Sequence, residues 1–355
     1  MKLDLHDDVV SLTRALCDIP SVSGDEAPIA DAVEAALRGL GHLEVLRDGD
    51  AVVARTHLGR ARRVVLAGHL DTVPIKDNLP TWTTGTGADE ILHGRGTVDM
   101  KGGVAAQLRI AATVPAPRND LTFVFYDHEE VASVLNGLGR LVRNHPEWLA
   151  GDFAILGEPS NGTVEGGCQG TMRVRITLAG KAAHAARSWR GVNAIHAAGD
   201  VLAILNAYEP RTVEVDGLEY REGLSAVNIS GGIAGNVIPD ECVIDINHRF
   251  APDRSIDAAL AHLREVFAGY ELEVRDQASG ARPGLDQPAA AEFLAAVGRP
   301  PAPKFGWTDV ARFASLGIPA VNYGPGDPLL AHTDEEHLPT ADIRECERVL
   351  AAWLR

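Results

Sequence analysis

The sequence predicts an α/β protein: a larger domain built on a mostly parallel central sheet, interrupted by a smaller α+β unit. Three observations carry this. Short apolar runs with no polar alternation recur at RRVVLAG (62–68), LTFVFY (121–126), FAILG (153–157) and IPAVNY (318–323), each of strand length and suited to burial on both faces. Helical patterns separate several of them, at KGGVAAQLRIAAT (101–113) and VASVLNGLGRLVRN (131–144). From about residue 171 the pattern changes to the alternation of half-exposed strands, and the buried-strand texture returns near 283.

Taken in order, DEAPIADAVEAALRGL (25–40) opens with acids, spaces its apolar residues helically and stops before Gly41, so it reads as an amphipathic helix. The apolar strands and their helices follow. In the second region TMRVRITLAG (171–180) alternates, GVNAIHAAGDVLAILNAY (191–208) is helical, and SAVNISGGIAG and ECVIDINHRF (241–250) alternate again. SIDAALAHLREVFAGY (255–270) is a second helix, and ELEVR closes the series. Strand, helix, two strands, helix, strand is the order of a two-layer unit with two helices covering an open sheet face. The expected division is 1–171 with 283–355 for the larger domain and 172–282 for the smaller; GARPG and GRPPAPK read as loop punctuation.

Length agrees, since 355 residues at about 150 per domain suggest two domains. With 45% hydrophobic residues and a mean hydropathy of −0.03, the chain has ample material for packed cores. Lys and Arg total 33 against 49 Asp and Glu, a net charge of −16, which repels nucleic acid and anionic lipid alike. No apolar stretch approaches the roughly 18 to 20 residues of a membrane span, and MKLDLHDDVV is too acidic for a signal peptide, so a cytoplasmic setting without membrane contact is expected. Cys17, Cys168, Cys242 and Cys346 form no C-x-x-C pair and read as buried free thiols.

The chemistry gathers where the strand-like runs end. VVLAGHLDTVP (64–74) places His69 and Asp71 two residues apart, on one side of an extended chain, so that the carboxylate can orient the imidazole. LHGRGTVDMKGG (92–103) sets Asp99 in a turn where Gly94, Gly96, Gly102 and Gly103 would let backbone approach a bound ion. Those glycines lack the endings of a P-loop or a dinucleotide fingerprint, which sets a nucleotide site aside. LTFVFYDHEEV (121–131) runs into Asp127, His128, Glu129 and Glu130, and neighbouring carboxylates repel unless a cation or proton relieves them. Glu158 follows the next run in FAILGEPSNG (153–162), and His332 follows the last in GPGDPLLAHTDEEH (324–337). Ligands in open α/β sheets sit beyond the carboxyl ends of the strands. Imidazoles with several acids suit a two-metal zinc site in which one carboxylate bridges both ions and water keeps an open position.

G-H-x-D at 68–71, G-R-G-x-x-D-M-K-G-G at 94–103, the Glu129–Glu130 pair, Gly-Glu-Pro at 157–159 and the late His332 resemble, in order and spacing, the di-zinc aminoacylase and carboxypeptidase superfamily. The resemblance extends from IPSVSGDE (19–26) to the C-terminal helix. It implies a zinc-peptidase-like catalytic domain, and an inserted unit that serves as lid and dimerisation domain of a homodimer. It further implies two zinc ions, with cobalt an alternative at one site, bridged by Asp99. His69 and Glu158 would complete one site, and Glu130 and His332 the other. Asp71 would orient His69, Glu129 would be the general base, and a cis peptide would follow Asp99. His184, in GKAAHAARSWRGVNAIH (180–196), would stabilise an oxyanion in the neighbouring subunit. The implied activity is hydrolysis of an N-acyl amino acid at its amide. Asn236 and Arg249 in the lid and Thr308 in the catalytic domain match the family's substrate contacts, and an arginine suits carboxylate recognition in a chain whose overall charge would not attract an anion. Two residues depart from the common pattern: His128 stands where Asp precedes the Glu pair and Val131 where Gly often follows it. His128 is read as flanking, with its ring turned away from Glu129.

Overall fold

The computed structural model describes residues 2–355, which form two compact units. The first is the chain up to Gly166 with Pro283–Ala302 and Asp309–Arg355; the second is Gly167–Arg282 with Pro303–Thr308. The entry into the second unit thus falls a few residues before the expected 171/172, because Cys168 and Ala281 exchange backbone hydrogen bonds, both at 3.0 Å. Residues 303–308, expected in the larger domain, belong instead with the second unit. The Gln169 amide donates to the Lys304 carbonyl at 3.2 Å, and Trp307 Nε1 donates to the Ser279 carbonyl at 3.1 Å.

In the first unit the sheet runs Glu44–Asp48, Ala51–Arg55, Asp120–Tyr126, Arg63–His69, Phe153–Leu156, Ala320–Asn322, Glu165–Gly166 and Ala302–Pro303. The four strands from Asp120–Tyr126 to Ala320–Asn322 are mutually parallel, and antiparallel neighbours flank them. Asp120–Tyr126 and Phe153–Leu156 are buried at every position, which is why they carry no polar alternation. Helices Val9–Cys17, Ala27–Arg38, Gly102–Thr113 and Thr340–Leu354 contribute Leu12, Ile29, Leu108 and Leu350 to one core with Leu66 and Phe123.

Two features escape the sequence patterns. The helix Val9–Cys17, whose amides at Val10 and Ser11 are capped by Asp8, and the hairpin Glu44–Arg55 are both too short to announce themselves by period. The helix expected over 131–144 starts only at Gly137, because the Asn136 side chain accepts from the Gly139 amide at 2.8 Å and caps it there. Val131, Val134 and Leu135 lie exposed before it.

The second unit has an antiparallel sheet in the order Gly223–Gly231, Glu241–Phe250, Gly170–Ala179, Glu273–Ala278. Helices Ala194–Ala207 and Ile256–Val266 bury Ala198, Val201, Ala259 and Leu263 against Met172, Val174, Ile176 and Ile246. Alternation along the strands sends Arg173, Arg175 and Arg249 to the other face. All four cysteines are buried, and among the described residues no disulfide joins them. Among the described residues no helix is long and apolar enough to cross a membrane.

Candidate active site

Parallel strands deliver their carboxyl ends to one edge of a sheet, and here each end carries a donor. His69 is the last residue of its strand, Asp127–Glu130 follow Tyr126, and Glu158 stands two residues after Leu156. His332 lies in the loop after Ala320–Asn322 and Asp99 in the turn before helix Gly102–Thr113, with a cis peptide joining Asp99 to Met100. Two glycines of that turn are also required by the fold itself. Gly96 takes a φ of +83°, and a Cβ on Gly103 would run into the Gly157 carbonyl, so Gly103 lets the helix pack against the turn that carries Glu158.

The seven first-unit residues singled out in the sequence come together. Asp99 presents one oxygen to each imidazole: Oδ1 lies 3.1 Å from His69 Nε2 and Oδ2 lies 3.2 Å from His332 Nε2. His332 Nε2 is also 2.9 Å from Glu130 Oε1. Donor atoms fall into three overlapping trios, each within 4.8 Å: His69, Asp99 and Glu158; Asp99, Glu130 and His332; and His69, Glu129 and Glu130. Two imidazoles and several carboxylates at this density are the donor set of a divalent cation, and only a cation or protons can hold such acids together.

The electrostatics follow from the crowding. Burial alone would lower the His69 imidazole, but Asp71 and Asp99 outweigh it and hold it well above its ordinary value. Asp99 and Glu130 raise His332 to about 10. Asp99 is held well below the carboxylate range: burial opposes this, and the hydrogen bonds from His332 and His69 prevail. Glu129 is pushed the other way, first by burial and then by Asp309, Glu158 and Glu130, against the pull of His69.

Asp71 acts differently from expectation. His69 Nδ1 is 3.0 Å from the Asp71 carbonyl but 3.5 Å from its carboxylate, so the main chain orients the ring. The carboxylate instead accepts the amides of Glu129 and Glu130, both at 3.0 Å, and the Ser23 hydroxyl at 2.7 Å. It fixes the backbone from which both glutamates project, and its carboxyl sits at about 2, burial being outweighed by His69. His128 turns away from the glutamate pair through a left-handed backbone: its φ is +58°, and its Nδ1 meets Asp127 at 2.8 Å and Glu26 at 3.3 Å.

Several contributors were not read from the sequence. Glu26, buried, accepts the His128 amide at 3.0 Å. Asp309, fully buried, faces Tyr126 and Glu129 and accepts from Asn136 Nδ2 at 3.0 Å. Arg95 and Glu336 form a buried pair beside Asp99. Their only signal was opposite charge inside quoted motifs far apart in the chain.

The other four predicted residues belong to the second unit. His184 is exposed on the short strand Ala183–His184, which pairs with Val237–Ile238, and the Ala185 amide donates to the Asn236 carbonyl at 2.8 Å, so His184 and Asn236 are close neighbours. His184 Nδ1 accepts the Ala186 amide at 3.0 Å, which leaves the proton of a neutral ring on Nε2. Arg249 stands on Glu241–Phe250 near Arg173; burial first, then Arg173, lower its pKa. Thr308 is buried, and it is Asp309, not Thr308, that occupies the N-cap of the following helix.

Residues 65–355 match the model of peptidase family M20/M25/M40, and the chain belongs to that family. Over 363 residues, 99% of this chain and 97% of the other, it is 47% identical to the succinyl-diaminopimelate desuccinylase of Corynebacterium glutamicum. It is 54% identical over 355 residues, 99% of both chains, to a Mycobacterium tuberculosis protein provisionally given the same name. Among solved structures it resembles a tripeptidase from Staphylococcus aureus, with a TM-score of 0.78 at 22% identity, covering 100% of this chain and 98% of that one.

Proposed function

We propose that the chain hydrolyses the amide of N-succinyl-L,L-diaminopimelate to succinate and L,L-diaminopimelate, a cytoplasmic step toward lysine and cell-wall precursors. The observation that carries the hydrolytic reading is Asp99, one oxygen turned to each of two imidazoles; the names of relatives at 47% and 54% identity support the substrate. In this reading His69, Glu158 and Asp99 hold one zinc, and Asp99, Glu130 and His332 hold the second, with cobalt an alternative at one of them. When bound, such ions polarise a carbonyl and bring the pKa of water from 15.7 to about 7.

The chain's own residues do the rest. Glu129 accepts a proton from the water that attacks the amide carbon and returns it to the nitrogen as the C–N bond breaks. Burial, with Asp309, Glu158 and Glu130 nearby, pushes its carboxyl up, which favours its taking up that proton. His184, with its proton on Nε2, donates to the oxyanion of the neighbouring subunit's substrate. Arg249 receives a substrate carboxylate, beside a second guanidinium at Arg173, and Asn236 and Thr308 complete the contacts.

The second unit acts as lid and dimerisation domain of a homodimer. Its strand Gly223–Gly231 is a sheet edge that exposes Val227 and Ile229, with Ile233 just beyond, and a long apolar edge invites pairing with another strand. The deciding experiment is turnover of the succinyl substrate before and after chelation, with zinc restored. Activity that vanishes, returns with zinc and strongly prefers succinyl over acetyl substrates is expected. Zinc-restored activity on acetylated amino acids alone would overturn the substrate, and activity indifferent to chelation would overturn the metal centre.

A further inference from the structure

Arg95 and Glu336 are 2.8 Å apart, with side chains 2% and 1% exposed. Burying two charges is at best neutral for stability against an apolar pair, so the use of this pair lies in what it holds. Glu336 Oε1 accepts the amides of Val98 at 2.9 Å and Asp99 at 3.1 Å, and so fixes the backbone of the aspartate that faces both imidazoles. Its own carbonyl accepts the Gly94 amide at 3.0 Å. Arg95 donates to the Thr333 carbonyl at 3.0 Å, beside His332, and to the Pro74 carbonyl at 3.2 Å, in the loop after His69. Three separate loops therefore meet on one ion pair.

The two imidazoles need this support unequally. His69 ends a central strand, is 1% exposed and is oriented by the Asp71 carbonyl. The His332 side chain is 53% exposed, in a loop outside the sheet with φ at +64°. We infer that Glu336 and Arg95 are positioning residues that hold the His332 loop in register with Asp99, and that they set the affinity of the cation held by Asp99, Glu130 and His332 far more than that of the cation held by His69 and Glu158. This rests on the metal reading above.

The test is zinc titration of the full chain against a chromophoric chelator, with the visible spectrum of the cobalt-loaded protein as a second readout. Glu336→Gln keeps one acceptor for the amides but turns an NH2 toward Arg95. It should weaken one of two equivalents by about 10- to 100-fold, the usual cost of losing such a supporting contact, and alter the cobalt spectrum, while the other equivalent binds as before. Glu336→Asp, which keeps the charge, should recover part of the loss. Unchanged binding of both equivalents in folded Glu336→Gln overturns the proposal, and equal weakening of both overturns its assignment to the His332 half. If Glu336→Gln does not fold, Arg95→Lys decides: it keeps a cation but gives up the fork to Pro74 and Thr333, so selective weakening supports the proposal and undisturbed binding overturns it. An unaltered chain that binds no divalent cation would overturn the metal reading and this inference with it, an outcome distinct from an unaltered chain that binds two and a variant that does the same.

Discussion

The two units place their polar residues by opposite rules. In the first, a parallel sheet buried on both faces can carry donors only at its strand ends, and His69, Glu129, Glu130 and Glu158 all stand there. In the second, an antiparallel sheet with helices over one face carries Arg173, Arg175 and Arg249 along the strands themselves. The first arrangement concentrates charge at a point; the second spreads it over a surface. In the function proposed above, chemistry belongs with the former, and recognition and assembly with the latter.

That contrast can be broken most directly at Glu129. Glu129→Ala should lower kcat by about 10²- to 10⁴-fold, the usual share of a proton-transferring side chain, while zinc stoichiometry and oligomeric state stay unchanged. Concerted loss of metal would show that Glu129 serves as a ligand instead.

His184→Ala should cost about 10²- to 10³-fold in kcat, as for a single oxyanion donor. Hybrids with Glu129→Ala sharpen this further. If the histidine serves the other subunit, a mixed dimer has one complete site, and activity should return on mixing two inactive proteins. Continued inactivity in verified hybrids would place both residues' work within one chain.

A smaller effect is expected at Arg249. Its replacement by Met should raise KM for the succinyl substrate about 10- to 100-fold with little change in kcat, matching roughly 1.5–3 kcal/mol for a charged hydrogen bond. A fall in kcat at constant KM would move Arg249 from recognition into the chemical step.

The smallest effect at neutral pH concerns stability. His248 is fully buried in the second unit and, through burial first, its pKa is lowered to about 4, with Glu222 opposing and His262, Arg254 and Arg211 assisting. Between an unfolded value near 6.5 and a folded value near 4 the unfolded chain binds more protons. Stability is therefore full above pH 6.5 and falls as the pH drops toward 4, by up to about 3 kcal/mol. Thermal melts of wild type and His248→Phe should converge in slope above pH 6.5 and diverge below it. Parallel pH profiles would remove His248 as the cause.

What could be read from the sequence follows the same division. The central strands were legible because full burial leaves uninterrupted apolar runs, and His69, Glu129, Glu130 and Glu158 were legible because they follow those runs at once, whereas Asp99 and His332 were found through their motifs. The second unit was legible through strict alternation. Short elements were not: Val9–Cys17 has little more than two turns, and Asn136 looked like one more polar residue in a helical run until its cap to Gly139 was seen. The supports of the site were hidden for another reason. Glu26 with His128, Asp71 with the 129–130 backbone, and Arg95 with Glu336 join residues that only the fold brings together, and no spacing rule spans such separations.

The left-handed backbone at His128 bears on which sequences this site can tolerate. At that φ, Asp, Asn and His are several-fold favoured over other non-glycine residues. The exchange of the family's usual Asp for His thus keeps to a short menu set by the main chain, and replacements branched at Cβ are the ones the position will reject.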